Sequence, residues 1–143
     1  LKEIGINMEI RERGWDAHLE HARATRPEDR QDIFIMTWWP DYADPSSWFQ
    51  SMVHSEDTPV FNLSYIKNAE WDQKIEEAME LTAIDRNRAE ELYKEVQMGV
   101  VGGAYMIPIY DQVITYAVST EIDGFYYNPA YPNSTLYFNI THK

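Results

Sequence analysis

The run "DIFIMTWW", residues 32–39, decides how the chain is read. After Asp32 it is apolar almost throughout, rich in β-formers, and too short for an ordinary helix. It is bounded by a charged turn before and Pro40 after, so it predicts a strand buried on both faces, as in a parallel sheet covered by helices. Working back towards the start, "TRPEDRQ" (25–31) is the charged turn, built around Pro27. "GWDAHLEHARA" (14–24) spaces Trp15, Leu19 and Ala22 as a helix does, and "INMEIRE" (6–12) alternates Ile6, Met8 and Ile10 with polar residues. Strand, helix and strand in this order predict a βαβ crossover. "LKEIGI" (1–6) reads as a helix tail stopped by Gly5. The expected class is α/β, with a mixed sheet flanked by helices.

Working forward, "TWWPDYADPSSWF" (37–49) holds three tryptophans, a tyrosine, a phenylalanine and two aspartates. Asp44 before Pro45 is a helix start, because an Asp side chain accepts from the first turn and proline lacks a donor that turn would leave unused. A short helix in "PSSWFQSMV" (45–53) follows, then a loop at 54–68. Two amphipathic helices come next. Over about 69–82, Trp71, Ile75, Ala78 and Met79 share a stripe; over about 85–101, Ala89, Leu92, Tyr93, Val96 and Val100 do so, with Asp85 as cap. Gly102-Gly103 ends the second helix. "MIPIYDQVITYAV" (106–118) reads as extended and broken near Asp111-Gln112, and "STLYFNI" (134–140) as a last strand.

Composition excludes several functions. The 143 residues carry a formal charge of −12, leaving no basic face for phosphates and excluding a nucleic-acid partner. No run approaches a membrane span. Cysteine is absent, which removes disulfides, thiolate zinc sites and cysteine nucleophiles. The chain starts at Leu1 rather than Met and is expected to be a piece of a longer one.

In open α/β sheets, ligands sit beyond the C-terminal ends of parallel strands, where residues 38–44 would lie. Asp44 has a cap's duty; Asp41 has none, and a carboxylate beside the flat faces of Trp38 and Trp39 suits an ammonium or sugar hydroxyls. Two other uses of these residues are weaker. Asp41 and Asp44 as a glycosidase pair would place two carboxyls three residues apart with one already capping a helix, and no "GxSxG" elbow is present. His18 and His21, at i and i+3, supply only two metal ligands and are read as a solvated helix face; His54 and His142 show no evident partner. The triplets at Asn62, Asn133 and Asn139 match the glycosylation acceptor pattern, which recurs by chance. An interaction module using the exposed aromatics is a third reading.

The ordered set "LKEIGINMEIRERGW", "DIFIMTWWPDYADPSSWFQSMVHSE", "FNLSYIKNAEWDQKIEEA", "RAEELYKEVQ" and "YMIPIYDQVITYAV" resembles the C-terminal part of the family 5 extracellular solute-binding proteins, over essentially the whole chain. The resemblance implies a fragment of a periplasmic binding protein type II-like fold, with residues 1–112 in the C-terminal lobe and 113–143 a crossover and tail packing toward the other lobe. It implies the substrate-binding component of an ABC importer, periplasmic or extracellular, with or without a lipid anchor. Its partners would be permease subunits, the missing lobe, and a di- or oligopeptide or else an oligosaccharide. In peptide-binding members, the aspartate of a W-x-x-D-Y segment holds the ligand's ammonium. That residue is Asp41 here, with Trp38 as its tryptophan and Trp39 offering backbone or ring. Gln112, where some members have tyrosine, stands on a strand that approaches ligand. The turn before "DIF" is longer than in many members, and the Trp-Trp-Pro run is bulkier. No catalytic group, cofactor or metal is implied.

Overall fold

A computed structural model describes residues 1–111, 113–129, 131 and 134–143. Two compact units divide within the run 32–39, the first Leu1–Ile35 and the second Met36–Lys143.

The first unit holds one helix, α1 (Trp15–Ala22), between irregular segments. Before it, Lys2–Ile4 form a single 3-10 turn closed by Gly5, whose φ of 81° is the left-handed conformation expected of a glycine stop. Pro27–Asp29 make the charged turn, another 3-10 turn, clamped by Arg26 on Asp29 at 2.7 Å. Neither 6–10 nor 32–35 forms a strand, so the expected βαβ unit is absent here. Ile6, Met8, Ile10, Ile33 and Ile35 are all exposed. Alternation states which face of a strand prefers burial, but a strand exists only where a neighbouring backbone completes its ladder. No described residue offers one.

The second unit is built on three helices, α2 (Ser46–Met52), α3 (Ala69–Leu81) and α4 (Arg86–Gly102). Local chemistry sets each start. Asn68 caps α3, its side-chain oxygen accepting from the N–H groups of Glu70 and Trp71, and Asp85 caps α4 by accepting from Arg88 N–H. α4 buries Ala89, Leu92, Tyr93, Val96 and Val100, the stripe read from the sequence, whereas on α3 Ile75 and Ala78 are buried and Met79 is exposed. The core lies between these helices. Ile75, Val96 and Val100 pack with Val53 and Ile66; Ala78, Ala89, Leu92 and Tyr93 form a second cluster. Phe49 of α2 touches both and stacks on Tyr93 at 5.0 Å. The Trp71 ring lies over Gly99, where a Cβ would stand 2.5 Å from it, so the glycine lets α3 and α4 approach.

Among the described residues the only sheet is a two-residue antiparallel ladder, β1 (Ile122–Asp123) with β2 (Thr141–His142), not the expected mixed sheet. Gly124, at φ 78°, passes so close to Asn139 that a side chain there would strike its carbonyl. The last strand expected over 134–140 is instead a 3-10 turn, Tyr137–Asn139. Described residues of 106–118 form no ladder. The chain is thus helix-dominated, with a minor sheet.

Candidate functional site

The segment 38–47 is a tight excursion that fastens itself to the start of α2. Asp44 does what its sequence position predicts: its carboxylate accepts from Ser46 N–H at 2.9 Å and Ser46 Oγ–H at 2.6 Å, and Pro45 already has helical backbone angles. Since Ser46 spends its only hydroxyl proton on a carboxylate that cannot donate, Tyr42 must donate in its 3.1 Å bond to Ser46 Oγ. Ser47 Oγ accepts from Asp41 N–H at 2.8 Å. Both serines are buried, 5% and 3% exposed.

The side chains this excursion carries fall into two groups. Trp38 turns inward and is half-buried; its ring meets Phe61 at 4.7 Å with a 60° tilt, and its indole N–H is buried with no partner among the described residues. Trp39 is 45% exposed, and Asp41 is exposed too. No hydrogen bond or ion pair from a described residue reaches the Asp41 carboxylate; among the described residues, Asp41 bonds only through its backbone N–H, to Ser47 Oγ. Trp38, Trp39 and Asp41 therefore share one excursion, while Gln112 lies outside the described residues. Such an arrangement offers a free carboxylate and an exposed indole on the same short excursion and supplies no Asp41–Asp44 acid–base pair, because Asp44 is consumed as a cap.

Three polar features were not legible in the sequence. Asn62 is 1% exposed and acts as an internal brace: its amide donates to the carbonyls of His54 at 3.0 Å and Ile66 at 2.8 Å, and its oxygen accepts from Ile66 N–H at 3.0 Å. The glycosylation triplet there is thus occupied by a structural residue. His54, expected to lack a partner, ties the end of α2 to α3 through Glu76 Oε1 at 3.0 Å, and Ser55 N–H donates to Asp72 of the same helix at 2.9 Å. Burial alone would lower the His54 pKa; the Glu76 hydrogen bond, the Ser55 carbonyl and the charges of Asp72 and Glu76 outweigh it, and the net shift is upward. His18 likewise departs from the solvated face expected of it: its ring stacks on Phe34 at 4.1 Å and its Nε2 lies 2.9 Å from the Ile35 carbonyl. Asn133 lies outside the described residues. No group of metal-ligating side chains is found among the described residues, and no described helix is long and apolar enough to cross a membrane.

The sequence is 30% identical over 102 residues to the probable D,D-dipeptide-binding periplasmic protein DdpA of Escherichia coli, covering 68% of this chain and 19% of that protein. The chain matches a stretch of a family 5 extracellular solute-binding protein. The chain is also 22% identical to the periplasmic oligopeptide-binding protein OppA of Salmonella typhimurium, covering 87% of this chain and 21% of OppA. It is 25% identical to the probable deoxycholate-binding periplasmic protein YgiS of Escherichia coli, over 87% of this chain and 22% of YgiS. The segment spans about a fifth of the length of these relatives, all of which are named as periplasmic binding proteins rather than enzymes. No family model and no solved structure matches it.

Proposed function

We propose that this segment belongs to the substrate-binding component of an ABC importer that captures di- or oligopeptides, with Asp41 receiving the peptide's α-ammonium. The observation that carries this reading is that the exposed Asp41 carboxylate and the exposed Trp39 ring stand two residues apart on one excursion, in a chain similar to proteins named for dipeptide and oligopeptide binding. In this reading the fold is type II-like, residues 1–112 belong to the C-terminal lobe, and 113–143 cross toward a second lobe. Ligand bound to one lobe favours closure through contacts that exist only with the other. The protein works at the outer face of the membrane, delivers to permease subunits and carries out no reaction. Trp38, packed on Phe61, forms the wall behind the site; Trp39 faces the ligand.

An exposed acid also discriminates between ligand classes. A bile-acid anion, such as the name of YgiS suggests for that relative, would be repelled by Asp41. A neutral oligosaccharide would use Asp41 only as a hydrogen-bond acceptor. Calorimetry on the full-length protein with trialanine, N-acetyl-trialanine and maltotriose tests this. Trialanine is expected to bind, and acetylation or Asp41→Asn to cost about 2 kcal/mol, roughly thirtyfold in Kd. Equal binding of trialanine by the parent and Asp41→Asn would overturn the assignment, and tighter binding of maltotriose would move the ligand class to sugars.

A further inference from the structure

We propose that Ser47 is a positioning residue for Asp41, its buried hydroxyl fixing the backbone from which the ligand-binding carboxylate projects. The inference rests on the reading of Asp41 given above. Because no described residue hydrogen-bonds or ion-pairs with the Asp41 carboxylate, its place depends on its own backbone. That backbone is tied by one bond, from Asp41 N–H to Ser47 Oγ at 2.8 Å. Ser47 can serve as an anchor because it is itself held: it sits in the first turn of α2, 3% exposed, with its N–H donating to the Asp44 carbonyl at 3.1 Å. Around it, Asp44 N–H donates to the Tyr42 carbonyl, Tyr42 to Ser46, and Ser46 to Asp44. Residues 42–44 are thus held by Ser46 and Asp44, and residue 41 by Ser47. Removing the Ser47 acceptor leaves the part-buried Asp41 amide without its partner and the backbone untied, so the carboxylate must be ordered anew each time ligand binds, at a cost in affinity.

A double-mutant cycle on the full-length protein, read by calorimetry with trialanine, separates positioning from structure. Ser47→Ala is expected to weaken binding fivefold or more, and to weaken it no further once Asp41 is Asn. Amide exchange should quicken at Asp41 while the amides within α2 keep their protection. If Ser47→Ala does not fold, Ser47→Cys, close in size but a poor acceptor, takes its place. Three results overturn the proposal: parental affinity in the serine variant while Asp41→Asn binds weakly, an equal loss in both backgrounds, or an unchanged Asp41 exchange rate. A further result, no loss in Asp41→Asn itself, overturns the ligand site on which the proposal rests and is recognised by that single variant alone.

Discussion

At the residue scale, the second unit depends on side chains that substitute for missing backbone partners. Asn62 is the clearest. Its amide and oxygen close the loop between α2 and α3 on the part-buried His54 carbonyl and on the buried carbonyl and N–H of Ile66. Replacing it with alanine strands several buried groups at once, each worth about 1–3 kcal/mol. Asn62→Ala is therefore expected to lower stability by about 3 kcal/mol in urea unfolding, far more than alanine at the exposed Asn87. Asp44 and Asp41 divide as their positions imply, one consumed by a cap and the other free. Sequence could see that division, because capping is decided within three residues. It could not see Ser47, whose role appears only when the excursion folds back to bring Asp41 N–H onto it.

At the scale of elements, the helices were legible and the strands were not. α3 and α4 carry their own signals, a capping side chain followed by a buried stripe, and both occur where those signals stand. Met79 fell outside the buried set because the face of α3 turned toward α4 is narrower than the stripe that apolar residues alone suggest. A strand's signal describes only one of the two partners it needs, which is why 6–10 and 32–39 read as strands and take irregular form. The contact between α3 and α4 is set by Gly99. Alanine there gains about 1 kcal/mol of helix propensity but must displace a Trp71 ring already lodged against Tyr105, at about 1–3 kcal/mol. Gly99→Ala is expected to destabilise by about 1 kcal/mol net in the same unfolding assay. The link between α2 and α3 responds to pH. The folded-state pKa of His54 is raised, so its bond to Glu76 contributes fully below the ordinary histidine pKa of 6.5 and is lost as pH rises through the folded value. The stability difference between the parent and Glu76→Gln should accordingly be largest in mild acid and shrink above neutrality in thermal unfolding.

At the scale of the molecule, order is unevenly distributed. The helical core of the second unit has caps and buried apolar contacts, whereas 7–13, 32–40 and 106–111 donate no backbone hydrogen bond to described residues. Ile107, Ile109 and Tyr110 are each more than 70% exposed. Hydrogen exchange followed by mass spectrometry is expected to show rapid exchange in those three segments and slow exchange across Ile75 and Val96. Protection of the segments in the isolated chain, equal to that of the helices, would contradict this distribution. The Asn62 brace has a practical consequence for making the protein. In a eukaryotic secretory host, the Asn-Leu-Ser triplet meets oligosaccharyltransferase on the unfolded chain, before the brace can hide it. An attached glycan would then occupy the interior that Asn62 needs, so such a host should yield misfolded, retained material, while a bacterial host or a Ser64→Ala chain should not.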